Sequence, residues 1–248
     1  MKKKKFWKIF KTVWFSVVSI FFIWNWTTFQ SRNLSNDTFK SDNYIEVIQT
    51  DDQIIFKSKK SVKTLEVIFF QGGLVDPKAY APLCRKIADS GYTCHLIKMF
   101  LRLPQRDYKK ISKMFDLKSG PYVIGGHSQG GKMAAQFVYE NPEIMKGLFL
   151  IGTSHPRDIN LSNLSIPIIK LYAENDGLAS VEEVLENKGK LPKHANLILI
   201  KGANHSQFGY LGKLLMDNSA NISLEDQQQQ TFDNLINFLD KTKNGLNK

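Results

Sequence analysis

Apolar and polar positions divide the chain into three stretches. From Thr12 to Ser31 twenty residues pass without a charge, densest between Val13 and Trp26, and Lys2, Lys3, Lys4, Lys5, Lys8 and Lys11 precede them. As a helix such a stretch rises about 30 Å, the thickness of a bilayer core. Residues 32–43 are polar, rich in Ser, Asn and Asp, and read as a linker. From Tyr44 onward short β-rich apolar runs alternate with helical periodicity. Residues 44–49 and 54–57 flank a Thr50-Asp51-Asp52 turn and predict a hairpin. Further strands are predicted at 65–70, 92–98, 122–125, 148–151, 166–172 and 197–200, with helices at 78–89, 106–115, 129–140 and 181–187. A last helix opens at Ser223, with Asp226 three residues on, and places Phe232, Leu235, Ile236 and Leu239 on one face.

Short, nearly continuous apolar strands separated by helices call for a mostly parallel sheet covered on both sides. The predicted class is therefore α/β with a leading antiparallel hairpin, organised as an N-terminal segment 1–31, a linker 32–43 and a folded domain 44–248. Composition fits: 42% of the 248 residues are apolar and 23% charged, which excludes a disordered or fibrous chain. The formal balance of +11 changes the picture only at the N-terminus. With the six lysines of the first eleven residues set aside, 28 basic residues face 23 acidic ones, too thin a surplus for a nucleic-acid surface.

The N-terminal segment reads as an uncleaved signal anchor forming one transmembrane helix. Trp14, Trp24 and Trp26 suit the interfacial belts, and Lys8 and Lys11 can snorkel. A cleaved signal peptide is the alternative, but bulky residues 24–29 stand where a peptidase requires small ones. The positive-inside rule keeps the lysines cytoplasmic, so the expected location is the cell membrane, single-pass, with the domain outside; secretion after cleavage is the other outcome. Export makes a disulfide between Cys84 and Cys94 permissible, yet both occupy apolar positions of a helix and a strand, favouring buried thiols.

Open parallel sheets carry their chemistry in loops at the carboxyl ends of strands. After 122–124 the chain reads Gly125-Gly126-His127-Ser128-Gln129-Gly130-Gly131-Lys132-Met133. Gly126-x-Ser128-x-Gly130 is a nucleophile-elbow pattern, in which a strand turns sharply into a helix with Ser at the apex. Gly126 through Lys132 also approaches a phosphate loop, but Met133 stands where a magnesium-binding Ser or Thr belongs, so no nucleotide is expected. The elbow alone is weak evidence; partners must follow in the order Ser, acid, His. Strand 166–172 is followed by Asp176-Gly177, with Glu174 as a rival carboxylate, and strand 197–200 by Asn204-His205. Of the other histidines, His95 is mid-strand, His127 flanks the elbow, His155 precedes Pro156, and His194 precedes a strand. An oxyanion hole needs two convergent N–H groups. Gln129 offers one at a helix N-terminus, and the loop Gln71-Gly72-Gly73-Leu74 offers Gly73 or Leu74 as the other. Phe208 and Tyr210, beside His205, are candidates to line an acyl pocket.

With these parts in order, residues 44–244 resemble the α/β-hydrolase superfamily, and within it the compact bacterial branch near dienelactone hydrolases and small carboxylesterases. The segments 70–83, 125–131 and 202–209 carry the likeness. The resemblance implies an eight-stranded, mostly parallel sheet flanked by helices, with Ser128 as nucleophile, His205 as base then acid, and Asp176 orienting the imidazole. It implies a serine hydrolase that uses no metal or cofactor and takes a small-molecule ester. Dienelactone hydrolases carry Cys at the elbow, so their particular reaction is not inherited. Only about fourteen residues, 152–165, separate two strands where lids are often inserted, so small or surface-presented esters are expected. A thioester or peptide would suit the same triad, and a non-catalytic binding protein the same scaffold.

Overall fold

The computed structural model describes residues 2–59, 63–154 and 158–246; His155 and Pro156 lie outside them. Eight strands, β1 (Ile45–Gln49), β2 (Gln53–Ser58), β3 (Glu66–Phe70), β4 (Cys94–Ile97), β5 (Tyr122–His127), β6 (Gly147–Ile151), β7 (Ile168–Ala173) and β8 (Asn196–Ile200), form one sheet. Their order is β1-β2-β4-β3-β5-β6-β7-β8. The β1–β2 hairpin is antiparallel and joins β4 antiparallel, while every pairing from β4 through β8 is parallel. Thr50 fixes the hairpin turn, its side-chain oxygen accepting the Gln53 N–H at 3.2 Å.

Helices α1 (Lys2–Thr28), α2 (Ala81–Asp89), α3 (Pro104–Asp107), α4 (Ile111–Met114), α5 (Gln129–Glu140), α6 (Val181–Glu186) and α7 (Leu224–Leu246) complete the chain. Two cores result. On one face Phe56, Phe69 and Phe149 pack with Cys84 of α2 and Leu235 and Leu239 of α7. On the other, Phe70, Ile124 and Leu150 meet Met133 and Phe137 of α5. Strands β4 to β7 bury almost every side chain, which explains their continuous apolar runs. Cys84 and Cys94 are free, buried thiols, and burial holds the Cys84 thiol well above its usual pKa.

The helix expected over 106–115 is broken into α3, a 3₁₀ turn and α4. The Asp107 carboxylate accepts the Phe100 N–H at 2.8 Å and Lys110 Nζ at 3.3 Å, ties that compete with a continuous helix. Strand β7 starts two residues later than expected because Pro167 has no N–H to give a sheet. The polar stretch 32–43 carries a 3₁₀ turn at Asn36–Phe39, and Arg85 of α2 reaches it with bonds to the Thr38 and Lys40 carbonyls and the Asp42 carboxylate. It therefore packs along the domain.

The order in which strands are laid down reverses at β3: the next strand, β4, lies to one side, and β5 crosses back to the other. The carboxyl ends of β3 and β5 thus bracket the crevice where ligands bind in such sheets.

Candidate active site

Ser128 joins β5 to α5 at φ 53°, ψ −122°, outside the comfortable regions for a residue with a side chain. The fold holds it there: its N–H donates to the Ile151 carbonyl at 2.8 Å and its carbonyl accepts the Lys132 N–H at 3.0 Å. So sharp a turn requires close backbone approach. A Cβ on Gly126 would come within 2.2 Å of the Phe70 oxygen, and one on Gly130 within 2.2 Å of the Gln71 oxygen. Both glycines of the elbow pattern are demanded by the end of β3.

His205 and Asp176 stand on the loops after β8 and β7. Nδ1 of His205 lies 2.8 Å from Oδ2 of Asp176, with both side chains almost wholly buried. The other Asp176 oxygen accepts the Leu178 and Ala179 N–H groups at 2.8 and 2.7 Å, so both lobes of the carboxylate are fixed. The rival Glu174 is occupied elsewhere, accepting the Gly202 N–H at 2.7 Å. With Nδ1–H given to Asp176, Nε2 of His205 is the nitrogen left to exchange a proton. Among the described residues Ser128 Oγ makes no hydrogen bond to this ring; the two are neighbours as walls of the same cleft.

Two buried groups that sequence reasoning missed hold the histidine loop. The Asp217 carboxylate accepts the N–H groups of His205 (3.3 Å), Ser206 (2.8 Å) and Gly177 (3.1 Å), together with the Ser206 hydroxyl. Gln227 of α7 clasps Asn204 at both backbone atoms, accepting its N–H at 3.1 Å and donating to its carbonyl at 2.7 Å. Asp217 carried no signal in the sequence, and Gln227 read only as the start of a glutamine run.

The loop after β3 lies against the elbow: a Cβ on Gly73 would stand 3.3 Å from Gln129 Cβ. Of its two possible donors, Leu74 gives its N–H to the Arg102 carbonyl at 2.7 Å, whereas the Gly73 N–H bonds no described residue. Gly73 and Gln129 both line the cleft. Below them sits His127, fully buried, Nδ1 2.7 Å from the Tyr80 hydroxyl and its ring centroid 4.5 Å from that of His205. Tyr80 Oη accepts the Gly72 N–H, so its own proton goes to His127 Nδ1 and the imidazole proton resides on Nε2. Burial, then repulsion from His205, holds the His127 pKa well below its ordinary value, keeping that ring neutral.

The cleft has a volume of about 450 Å³; beside Ser128 and His205 its apolar walls are Phe29, Leu74, Val75, Leu103, Leu178 and Leu214. Neither Phe208 nor Tyr210 lines it. A 3₁₀ turn at Ser206–Phe208 rotates Phe208 into the core, where it packs 5.7 Å from the His127 ring. Tyr210 is spent joining chain segments, donating its N–H to the Ala79 carbonyl and accepting that of Arg32. The cleft walls come from distant segments instead.

Solved structures of similar fold include a serine hydrolase homologue from Coxiella burnetii, 14% identical with a TM-score of 0.56, covering 79% of this chain and 99% of that one. The carboxylesterase CesB from Bacillus subtilis is 12% identical with a TM-score of 0.55, covering 82% and 93%. Est1E from Butyrivibrio proteoclasticus is also 12% identical, with a TM-score of 0.52, covering 79% and 99%. At such identity these likenesses speak to the fold alone. No curated protein matches the chain. The model of the alpha/beta hydrolase family matches residues 66–229, spanning β3, the elbow and the loops of Asp176 and His205, and the chain belongs to that family.

Proposed function

We propose that this protein is a membrane-anchored serine esterase acting on small or surface-presented carboxylic esters. The observation that carries the reading is the buried Asp176–His205 pair, whose histidine lines the same cleft as the strained Ser128. Ser128 Oγ attacks the acyl carbon while His205 Nε2 takes its proton, and the Gln129 and Gly73 N–H groups receive the oxyanion. Collapse returns that proton to the leaving alcohol and leaves an acyl-serine. A water then attacks the acyl carbon, giving its proton to His205; the acid departs and the proton returns to Ser128. Asp176 holds the imidazole in the required tautomer and stabilises the imidazolium. Helix α1, whose apolar side chains from Phe6 to Ile23 are exposed except for the half-buried Val18, supports the anchor.

The test is the detergent-solubilised full chain, incubated with a fluorophosphonate probe and a short-chain p-nitrophenyl ester. Wild type is expected to label and turn over, and Ser128→Ala to lose labelling and on the order of 10³-fold or more of the turnover. A folded wild type that neither labels nor hydrolyses the ester defeats the reading in favour of a binding protein.

A further inference from the structure

The anchor helix does not end short of the domain on a free leash. One residue beyond α1, Phe29 is already a wall of the cleft. Its carbonyl accepts the Asp76 N–H at 2.9 Å, and Ser31 Oγ donates to the Asp76 carboxylate at 2.9 Å. The Arg32 N–H donates to the Tyr210 carbonyl at 2.8 Å. Arg102 stacks its guanidinium 4.7 Å from the Trp26 ring, donates to Gln30 Oε1 at 3.1 Å, and with its own carbonyl holds the Leu74 N–H. The last turn of α1 is thus bound to the two loops that border Ser128. From Trp26, placed for the membrane interface, to Phe29 is about 5 Å of helical rise.

A second observation lies on the rim. Leu103, Leu178 and Leu214 line the cleft. Beside them in the chain, Phe100 is 67% and Met216 80% exposed, and Leu101, Leu178 and Leu215 are exposed as well. The backbone of Met216 approaches Gly177, bringing the Leu178 and Leu214–Met216 segments together. Leu101 and Met216 sit at φ 51° and 69°, a conformation rare for such side chains that is retained only where surroundings enforce it. Large apolar groups set next to a polar reaction centre, on the side where a bilayer-spanning helix enters, mark a membrane-contact surface.

We propose that the mouth of the cleft opens into the membrane interface, with Phe100, Leu101, Leu215 and Met216 immersed among the headgroups, and that the substrate is an acyl ester held in the bilayer. This rests on the membrane-anchored esterase reading and narrows its substrate class. The occupant of the rim is the bilayer itself, because α1 is continuous with the cleft wall and places lipid beside it. A bilayer-held ester then reaches Ser128 by lateral movement, its chains staying against Phe29 and Leu103 while its carbonyl meets the Gly73 and Gln129 N–H groups.

The full chain, with single cysteines in place of Phe100, Met216, Val17 or Lys118, would be spin-labelled and reconstituted in phosphatidylcholine–phosphatidylglycerol vesicles. Cys84 and Cys94 are buried and do not compete for label. Lys118, in the loop before β5, marks the opposite end of the sheet. Labels at 100 and 216 are expected to meet oxygen, which partitions into lipid, more than an aqueous nickel chelate, and the label at 118 the reverse. Aqueous exposure at both 100 and 216 overturns the proposal; aqueous exposure at 17 overturns it together with the anchor. In the same vesicles Phe100→Asp is expected to lower the ratio of turnover of p-nitrophenyl palmitate, held in the bilayer, to that of soluble p-nitrophenyl acetate at least tenfold, and an unchanged ratio overturns the proposal. A wild type inert toward both esters defeats the esterase reading, while the spin labels still decide which way the cleft faces.

Discussion

Asp176 and Glu174 are two carboxylates two residues apart, and their hydrogen bonds separate their roles. Glu174 caps the turn after β8, while Asp176 receives the His205 ring. Asp176→Asn keeps the shape but can favour the wrong imidazole tautomer, and a loss of kcat of roughly 10³–10⁴ is expected in steady-state assays, with Glu174→Gln near wild type. The neutral His127 belongs to a chain of bonds running from the Gly72 N–H through Tyr80 to Nδ1. Tyr80→Phe leaves two buried polar groups without partners, and a destabilisation of about 1–3 kcal/mol is expected in denaturant unfolding. The histidine before the serine was legible in the sequence as an elbow flank, but its partner was not. Tyr80 lies 47 positions away, and only the packing of α2's entry over β3 brings the two rings together.

At the scale of elements, the loop carrying His205 is no more rigid than what holds it, and α7 supplies part of the hold. Gln227→Leu removes both bonds to Asn204; reduced kcat with little change in KM, and a lower unfolding temperature, are expected. In a linear chain a glutamine run carries no direction, so the buried, paired side chain of Gln227 could not be told from its exposed neighbour Gln230. Strand β7 carries the opposite case, a charge inside the sheet's cover. Lys170 is buried, donates to the Ser154 carbonyl at 2.9 Å, and has its pKa pushed down to about 7 by burial and by nearby Lys132. The unfolded chain keeps a lysine proton to about pH 10.4. Between about pH 7 and 10.4 the unfolded state binds more protons, so this residue makes stability rise with pH, its full penalty standing below about pH 7. Thermal unfolding over that window is expected to show a wild-type rise that Lys170→Met flattens.

For the whole molecule, removal of residues 1–32 deletes a cleft wall, Phe29, as well as the proposed anchor. The truncated domain is expected to unfold several degrees lower, about 2–4 °C for each kcal/mol lost, and to show a raised KM for short-chain esters. If the helix were only a tether, neither differential scanning calorimetry nor soluble-ester kinetics would register its loss.

Local signals settled the class of fold in advance. Strands buried on both faces must be apolar throughout, and helices covering them must repeat every three to four residues, so the alternation is written into the chain. The elbow glycines and the order Ser128, Asp176, His205 were legible for the same reason: each sits at a strand end whose position the pattern gives. Tertiary structure alone decided the rest. It tied the Leu74 N–H to the Arg102 carbonyl, left the Gly73 N–H bonded to no described residue, and turned Phe208 into the core. It also built the cleft from Phe29, Leu103, Leu178 and Leu214, residues scattered over the chain. Hydrogen bonds between loops and the direction of a side chain at a turn depend on partners distant in sequence, and no local pattern encodes them.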